Sequence, residues 1–115
     1  MSVTINGTAG ITFNDSSQQP AAGLGYNQTY QDVTASRAAG TTYTNTTGRP
    51  IWVNVMTNGS GGNAVNNRLL VNGIIVADMN AISNFAASLQ AIIPPGATYV
   101  AQISALGILR WIELR

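Results

Sequence analysis

Apolar and polar residues alternate along much of the chain. The clearest run is Ile51-Trp52-Val53-Asn54-Val55-Met56-Thr57, which places Ile51, Val53 and Val55 on one face and Trp52, Asn54 and Met56 on the other. That is the period of a strand. Similar runs cover 28–33, 41–46, 68–71, 74–78, 98–103 and 108–114. Turn formers separate them: Thr47-Gly48-Arg49-Pro50, Asn72-Gly73 and Pro94-Pro95-Gly96. Asn72-Gly73 joins two apolar runs and predicts a type I′ hairpin, because this pair tolerates positive φ. The closing run Ile108-Leu109-Arg110-Trp111-Ile112-Glu113-Leu114 is apolar enough to predict a central strand, not an exposed edge.

The stretch from Ala81 to Ile93 fits two periods. Ile82, Phe85, Ala86 and Leu89 fall on one helical face, while Phe85, Ala87, Leu89, Ala91 and Ile93 fall on one strand face. The surrounding hairpins favour the strand. About eight short strands with regular turns predict an all-β fold, an antiparallel β-sandwich of jelly-roll-like form.

Residues 1–25 read differently. Val3-Thr4-Ile5 and Ile11-Thr12-Phe13 suggest a small hairpin, and a polar, Gly-rich linker follows. Too few large apolar residues lie here to build a core. The expected organisation is a connector or stalk over 1–25 and one β-sandwich domain over 26–115. The length suits a single domain with one core.

Composition narrows the chemistry. The 115 residues contain no His, no Cys and no Lys, and 8% are charged, about a third of the usual share. Five scattered Arg and a net charge of +1 make no basic stripe, so neither nucleic-acid binding nor membrane-surface binding is expected. No apolar run is long enough to span a bilayer, and the first residues lack the regions of a signal peptide. A surface with so little charge repels itself weakly, which favours burial in an oligomer or a coat of Asn, Thr and Ser.

Asp15, Asp32, Asp78 and Glu113 are the only carboxylates. Their spacing suggests no facing pair for glycoside hydrolysis and no Ca²⁺ loop, and the expected role is solvation or pairing with Arg. Ser and Thr are plentiful, but no His or Lys is present to activate them. Gly59-Ser60-Gly61-Gly62 lacks the Lys of a phosphate cradle. Asn27-Gln28-Thr29 and Asn45-Thr46-Thr47 match a glycosylation pattern that a chain rich in these residues produces by chance. No catalytic residue, metal ligand or cofactor is expected. Trp111 and Tyr43 are expected in the core, and Arg37 and Arg49 are expected to pair with Asp32 or to cap carbonyls. Trp52 is read as a subunit contact or an exposed platform, with the contact favoured because aromatics are enriched at interfaces.

The segment from Gln28 to Ile51 resembles the start of a β-sandwich module found near the C-termini of phage tail-fibre and related virion proteins. It includes Thr29-Tyr30-Gln31-Asp32-Val33 and Tyr43-Thr44-Asn45-Thr46-Thr47-Gly48-Arg49-Pro50. Leu70-Val71-Asn72-Gly73, Ile93-Pro94-Pro95-Gly96-Ala97-Thr98-Tyr99 and Trp111-Ile112-Glu113-Leu114-Arg115 follow that pattern in order, and Gly10-Ile11-Thr12-Phe13-Asn14-Asp15 resembles a connector that precedes such modules. The resemblance implies a non-enzymatic virion component, homotrimeric, in contact with other virion proteins and with a host-surface glycan or protein receptor. The alternatives are a carbohydrate-degrading depolymerase and an architectural cap or decoration protein that touches no receptor. Binding on such a scaffold is expected in loops at one end. The candidates lie in 58–67 and 80–84: Asn58, Ser60, Asn63, Asn66, Asn67, Asn80 and Asn84. Val3, Ile5, Ile11, Phe13 and Trp52 are the candidates for the oligomer interface.

Overall fold

The order of strands in the two large sheets defines the topology. A computed structural model describes residues 3–7, 10–19, 23–59, 62, 65–81, 85–104 and 107–115. Eleven strands run in chain order among them. Three are N-terminal: β1 (Thr4–Asn6), β2 (Gly10–Thr12) and β3 (Gln18–Gln19). The other eight are β4 (Tyr30–Asp32), β5 (Tyr43–Thr44), β6 (Ile51–Thr57), β7 (Val65–Val71), β8 (Ile74–Ala81), β9 (Ser88–Ile93), β10 (Thr98–Ile103) and β11 (Ile108–Leu114). One sheet has the order β4-β11-β6-β9 and the other β5-β10-β7-β8. The first of these eight strands pairs with the last, the second with the seventh, the third with the sixth and the fourth with the fifth. A long antiparallel hairpin folded over itself in this way is a jelly-roll β-sandwich.

Period-two alternation decides which side chains enter the core. Ile51, Val53 and Val55 on β6, Leu69 and Val71 on β7, Leu89 and Ile93 on β9, and Tyr99, Ala101 and Trp111 on β10 and β11 are buried between the sheets. Tyr43, Tyr99 and Trp111 form an aromatic cluster with ring centroids 5.8–6.4 Å apart. The Asn72-Gly73 turn has φ of 49° and 78°, as a type I′ hairpin requires. β11 is central, flanked by β4 and β6.

Two expectations need correction. The strand expected over 81–93 spans Ser88–Ile93, and Phe85–Ala87 is irregular. Phe85 is exposed, while Ala87, Leu89 and Ile93 are buried. The polar stretch read as linker contains β3, which pairs Gln18 and Gln19 with Thr12 and Ile11. Two glutamines show no apolar alternation, so backbone pairing alone makes this strand.

The three N-terminal strands form a separate small sheet, order β1-β2-β3. Antiparallel register sets Ile5 opposite Ile11 and Thr4 opposite Thr12. Val3, Ile5, Ile11 and Phe13 therefore share one face and the threonines the other. Val3, Ile5 and Phe13 are exposed. The chain measures 60 × 25 × 19 Å. A seven-residue strand spans about 24 Å, so the sandwich alone does not account for the long axis.

Candidate functional site

The sandwich has two dissimilar ends. At one, the N-terminal connector arrives. Thr29 and Arg115 exchange backbone hydrogen bonds at 3.2 Å, and Arg49 Nη2 donates to the carbonyls of Tyr26 and Gly23. Asn45 is buried here, its Nδ2 donating to the carbonyls of Arg49, Ile93 and Pro94 while its Oδ1 accepts from Thr47. At the other end lie the β6–β7, β8–β9 and β10–β11 connections. Asn58 N–H donates to Gly107 O at 2.9 Å, Thr57 N–H to Ala87 O at 2.9 Å, and Ser104 N–H to Asn67 Oδ1 at 3.2 Å.

The described residues of both candidate loops thus fall at the end away from the connector, but they play different parts. Asn66 and Asn80 sit opposite each other on β7 and β8 and are exposed. Asn58 is half-buried. Asn67 is 1% exposed. This corrects its reading as a ligand contact: one residue along a strand reverses the face, so Asn67 points inward and holds the β10–β11 turn. Ser60, Asn63 and Asn84 lie outside the described residues. Trp52 is half-buried and meets Tyr30 edge to face, with centroids 6.0 Å apart.

Glu113 is the main surprise among the charged residues. It is 0% exposed, and of the two roles expected for the carboxylates, solvation or pairing with Arg, it takes the second. Arg37, on the β4–β5 crossover, donates Nε to Oε1 at 2.9 Å and Nη2 to Oε2 at 3.1 Å. Tyr99 Oη donates to Oε1 at 2.8 Å and Arg115 Nη1 to Oε2 at 2.8 Å. The Arg37 guanidinium also lies 4.6 Å from the Tyr43 ring centroid. Burial pushes the Glu113 carboxyl up, but hydrogen bonds from Arg37 and Tyr99 and the charges of Arg37 and Arg115 outweigh it, and the group sits below its usual range. Burial, reinforced by Glu113, pushes Tyr99 up to about 12. This cluster ties one sheet (Glu113), the other sheet (Tyr99) and the crossover (Arg37) together. With its oxygens so occupied, Glu113 is a structural clamp and not a group placed to take up a proton.

The other carboxylates are also engaged. Arg110, and not Arg37, pairs with Asp32, at 2.9 Å. Hydrogen bonds from the Thr34 hydroxyl and amide hold Asp32 below its usual value. Asp15 is lowered in the same way by Ser17. Asp78 lies 3.6 Å from Arg68 Nε. Asp32 is exposed and Glu113 buried on the two faces of one sheet, Asp78 lies on the other sheet, and Asp15 belongs to the small sheet. Among the described residues no three metal-binding side chains gather.

An open cleft of about 320 Å³ lies at the end away from the connector, lined by Ala39, Gly40, Asn66, Gln102, Ile103 and Ser104. Gly40, at φ 76°, closes a turn on the crossover and donates its N–H to Ala101 O at 2.8 Å, which fastens this wall to β10. The Ser104 hydroxyl bridges the backbone of Asn66, donating to its carbonyl at 2.8 Å and accepting from its N–H at 2.7 Å.

No family model and no curated protein matches the chain. Among solved structures, a β-glucosidase from Paenibacillus barengoltzii is similar over 76% of this chain at 14% identity and a TM-score of 0.41. This chain spans 10% of that enzyme's chain. A similarity at that level carries no functional argument.

Sequence reasoning missed Gln102, Ser104, Ala39 and Gly40 as cleft residues. Gln102 carried a signal, since it is the polar outward position in the otherwise apolar run Val100-Ala101-Gln102-Ile103. Ala39 and Gly40 reach the cleft only through the crossover, which no local pattern encodes.

Proposed function

We propose that this chain is a non-enzymatic structural module of a phage virion, of tail-fibre type, that works as a homotrimer and presents its loop end to the host surface. The observation that carries the reading is the polarity of the sandwich: the connector joins the end that holds the β5–β6, β7–β8 and β9–β10 turns, and leaves the opposite end, with the β6–β7, β8–β9 and β10–β11 connections, clear of it. A module in a fibre needs that arrangement, one end for attachment to other virion proteins and one for contact. The near full-length resemblance to tail-fibre modules points the same way. The partnered state of all four carboxylates supports a non-catalytic role.

Trimer formation is supported by the small sheet. Three strands this short are marginal without a partner for their apolar face, and Val3, Ile5 and Phe13 are exposed on it. Three copies around an axis would cover one another's faces. Multi-angle light scattering should return three times the chain mass at micromolar concentration, and a monomer mass overturns this part.

The host-facing role is tested by adsorption of labelled protein to a panel of bacterial strains. Saturable adsorption to a subset, lost on substituting residues at the loop end, is the expected result. Adsorption to none would favour the purely architectural alternative. Turnover of surface polysaccharide that disappears on substituting one carboxylate would establish the depolymerase alternative instead.

A further inference from the structure

We propose that the outer face of the β5-β10-β7-β8 sheet, at its loop end, binds an uncharged saccharide through Gln102, Asn66, Arg68 and Asp78. The inference rests on the reading of this end as host-facing and specifies its ligand. Register places Gln102 opposite Arg68, Arg68 opposite Asp78, and Asn66 opposite Asn80. Their neighbours Leu69, Ala101 and Asn67 are buried, so these side chains share the outer face. The cleft lined by Asn66, Gln102 and Ser104 opens beside the row. Its volume of about 320 Å³ lies at the lower limit for small-molecule sites.

The chemistry selects the class. Two amides and a guanidinium–carboxylate pair offer donors and acceptors side by side, and a sugar hydroxyl is both donor and acceptor. These groups are not consumed internally: among the described residues the side chains of Gln102 and Asn66 make no hydrogen bond. Arg68 and Asp78 form an ion pair at 3.6 Å, too long for a hydrogen bond, and their side chains are 37% and 36% exposed. The pair cancels its own charge and the cleft lining carries none, so an anionic ligand gains little. Ile103 and Ala39 supply the apolar contact for ring carbons. No aromatic ring lines the cleft, so affinity should be weak, with a Kd on the order of 1 mM.

The test is a titration of the isotope-labelled full chain followed by amide NMR shifts. The probes are the methyl glycosides of glucose, galactose, mannose and N-acetylglucosamine, with galacturonate and N-acetylneuraminate as anionic arms. At least one neutral glycoside should give saturable shifts at the Asn66 and Gln102 amides. Gln102→Ala and Asn66→Ala should each weaken binding about three- to tenfold, with a well-dispersed spectrum attesting the fold. Gln90→Ala, on the outer face of the opposite sheet, should leave it unchanged. Absence of shifts with every neutral glycoside, shifts centred elsewhere, or response to the anionic sugars alone overturns the inference. If cells adsorb the chain and Gln102→Ala adsorbs equally, this site fails while host recognition stands. If no cell adsorbs the chain but a neutral glycoside binds at Gln102, the site stands and the host-facing reading fails.

Discussion

Replacing Glu113 by leucine deletes the acceptor on which Arg37, Tyr99 and Arg115 converge. Arg115 has a way out, because its side chain is 27% exposed. Arg37 does not: its side chain is 14% exposed and its guanidinium lies against the Tyr43 ring. Tyr99, 1% exposed, loses the partner of its hydroxyl. Breaking a buried pair by removing one member costs about 3–5 kcal/mol, because the remaining charge is stranded. Against a total stability of about 5–15 kcal/mol this is a large fraction. The melting temperature should fall by roughly 12–20 °C at about 4 °C per kcal/mol. The double variant Arg37→Met/Glu113→Leu removes both charges and should be more stable than Glu113→Leu alone, although it carries one more substitution. Urea and thermal unfolding at one fixed protein concentration measure both, so that association does not shift the comparison. If Glu113→Leu costs less than about 1 kcal/mol, or the double variant is the less stable of the two, the clamp is not a desolvated pair and the reasoning fails.

Further predictions concern pH, a buried amide and a turn. Glu113 is held below its ordinary 4.5, so its contribution is complete above that pH and is lost as pH falls through the lower folded value; Tyr99 is raised from 10.0 to about 12, so its contribution is complete below pH 10 and is lost between there and about 12. Circular dichroism melts across pH should therefore show an acid limb that Glu113→Gln flattens and an alkaline limb, worth about 2–3 kcal/mol, that Tyr99→Phe removes. Asn45→Ala removes the amide shared by the carbonyls of Arg49, Ile93 and Pro94; Arg49 keeps the Thr47 hydroxyl and Pro94 the Ala97 N–H, so the loss should be about 1–3 kcal/mol in denaturant unfolding. Gly73→Ala meets no atom within 4 Å but forces a side chain to φ 78°, so it should cost only about 1–2 kcal/mol in the same assay.

The strands that were legible in sequence are those bounded by strong punctuation. β6, β10 and β11 carry the alternation, follow Pro- or Gly-bearing turns, and have their sequence-derived bounds. β4 and β5 are shorter than their sequence runs, because their lengths are set by how far they track β11 and β10, a tertiary quantity. The clamp was half legible. Alternation along β11 puts Glu113 on the face of Trp111, two residues away, and a carboxylate on a core face demands a partner. That the partner is Arg37, far off in sequence, depends on the crossover between the sheets. The candidate loops were legible as a group because their amide- and Gly-rich composition marks connections. The split between Asn66, facing out, and Asn67, facing in, required the register of β7.

The outer face of the other sheet leads to a last prediction. Register aligns Tyr30, Leu114, Trp52 and Ile92 in one row across β4, β11, β6 and β9, next to the connector. Tyr30 and Ile92 are 71% and 56% exposed, and the row contains no charge. An uncharged apolar row at the connector end favours subunit contact over solvent, the role expected for Trp52. The chain has two tryptophans, and Trp111 is 0% exposed. Acrylamide quenching therefore reports Trp52 almost alone. If copies associate through this row, quenching should rise as the protein is diluted through the concentration at which light scattering records dissociation, and Trp52→Glu should give the monomer mass throughout. Quenching that stays constant while the mass falls would remove Trp52 from the interface. It would leave the small sheet, with Val3, Ile5 and Phe13, as the surface that holds the copies together.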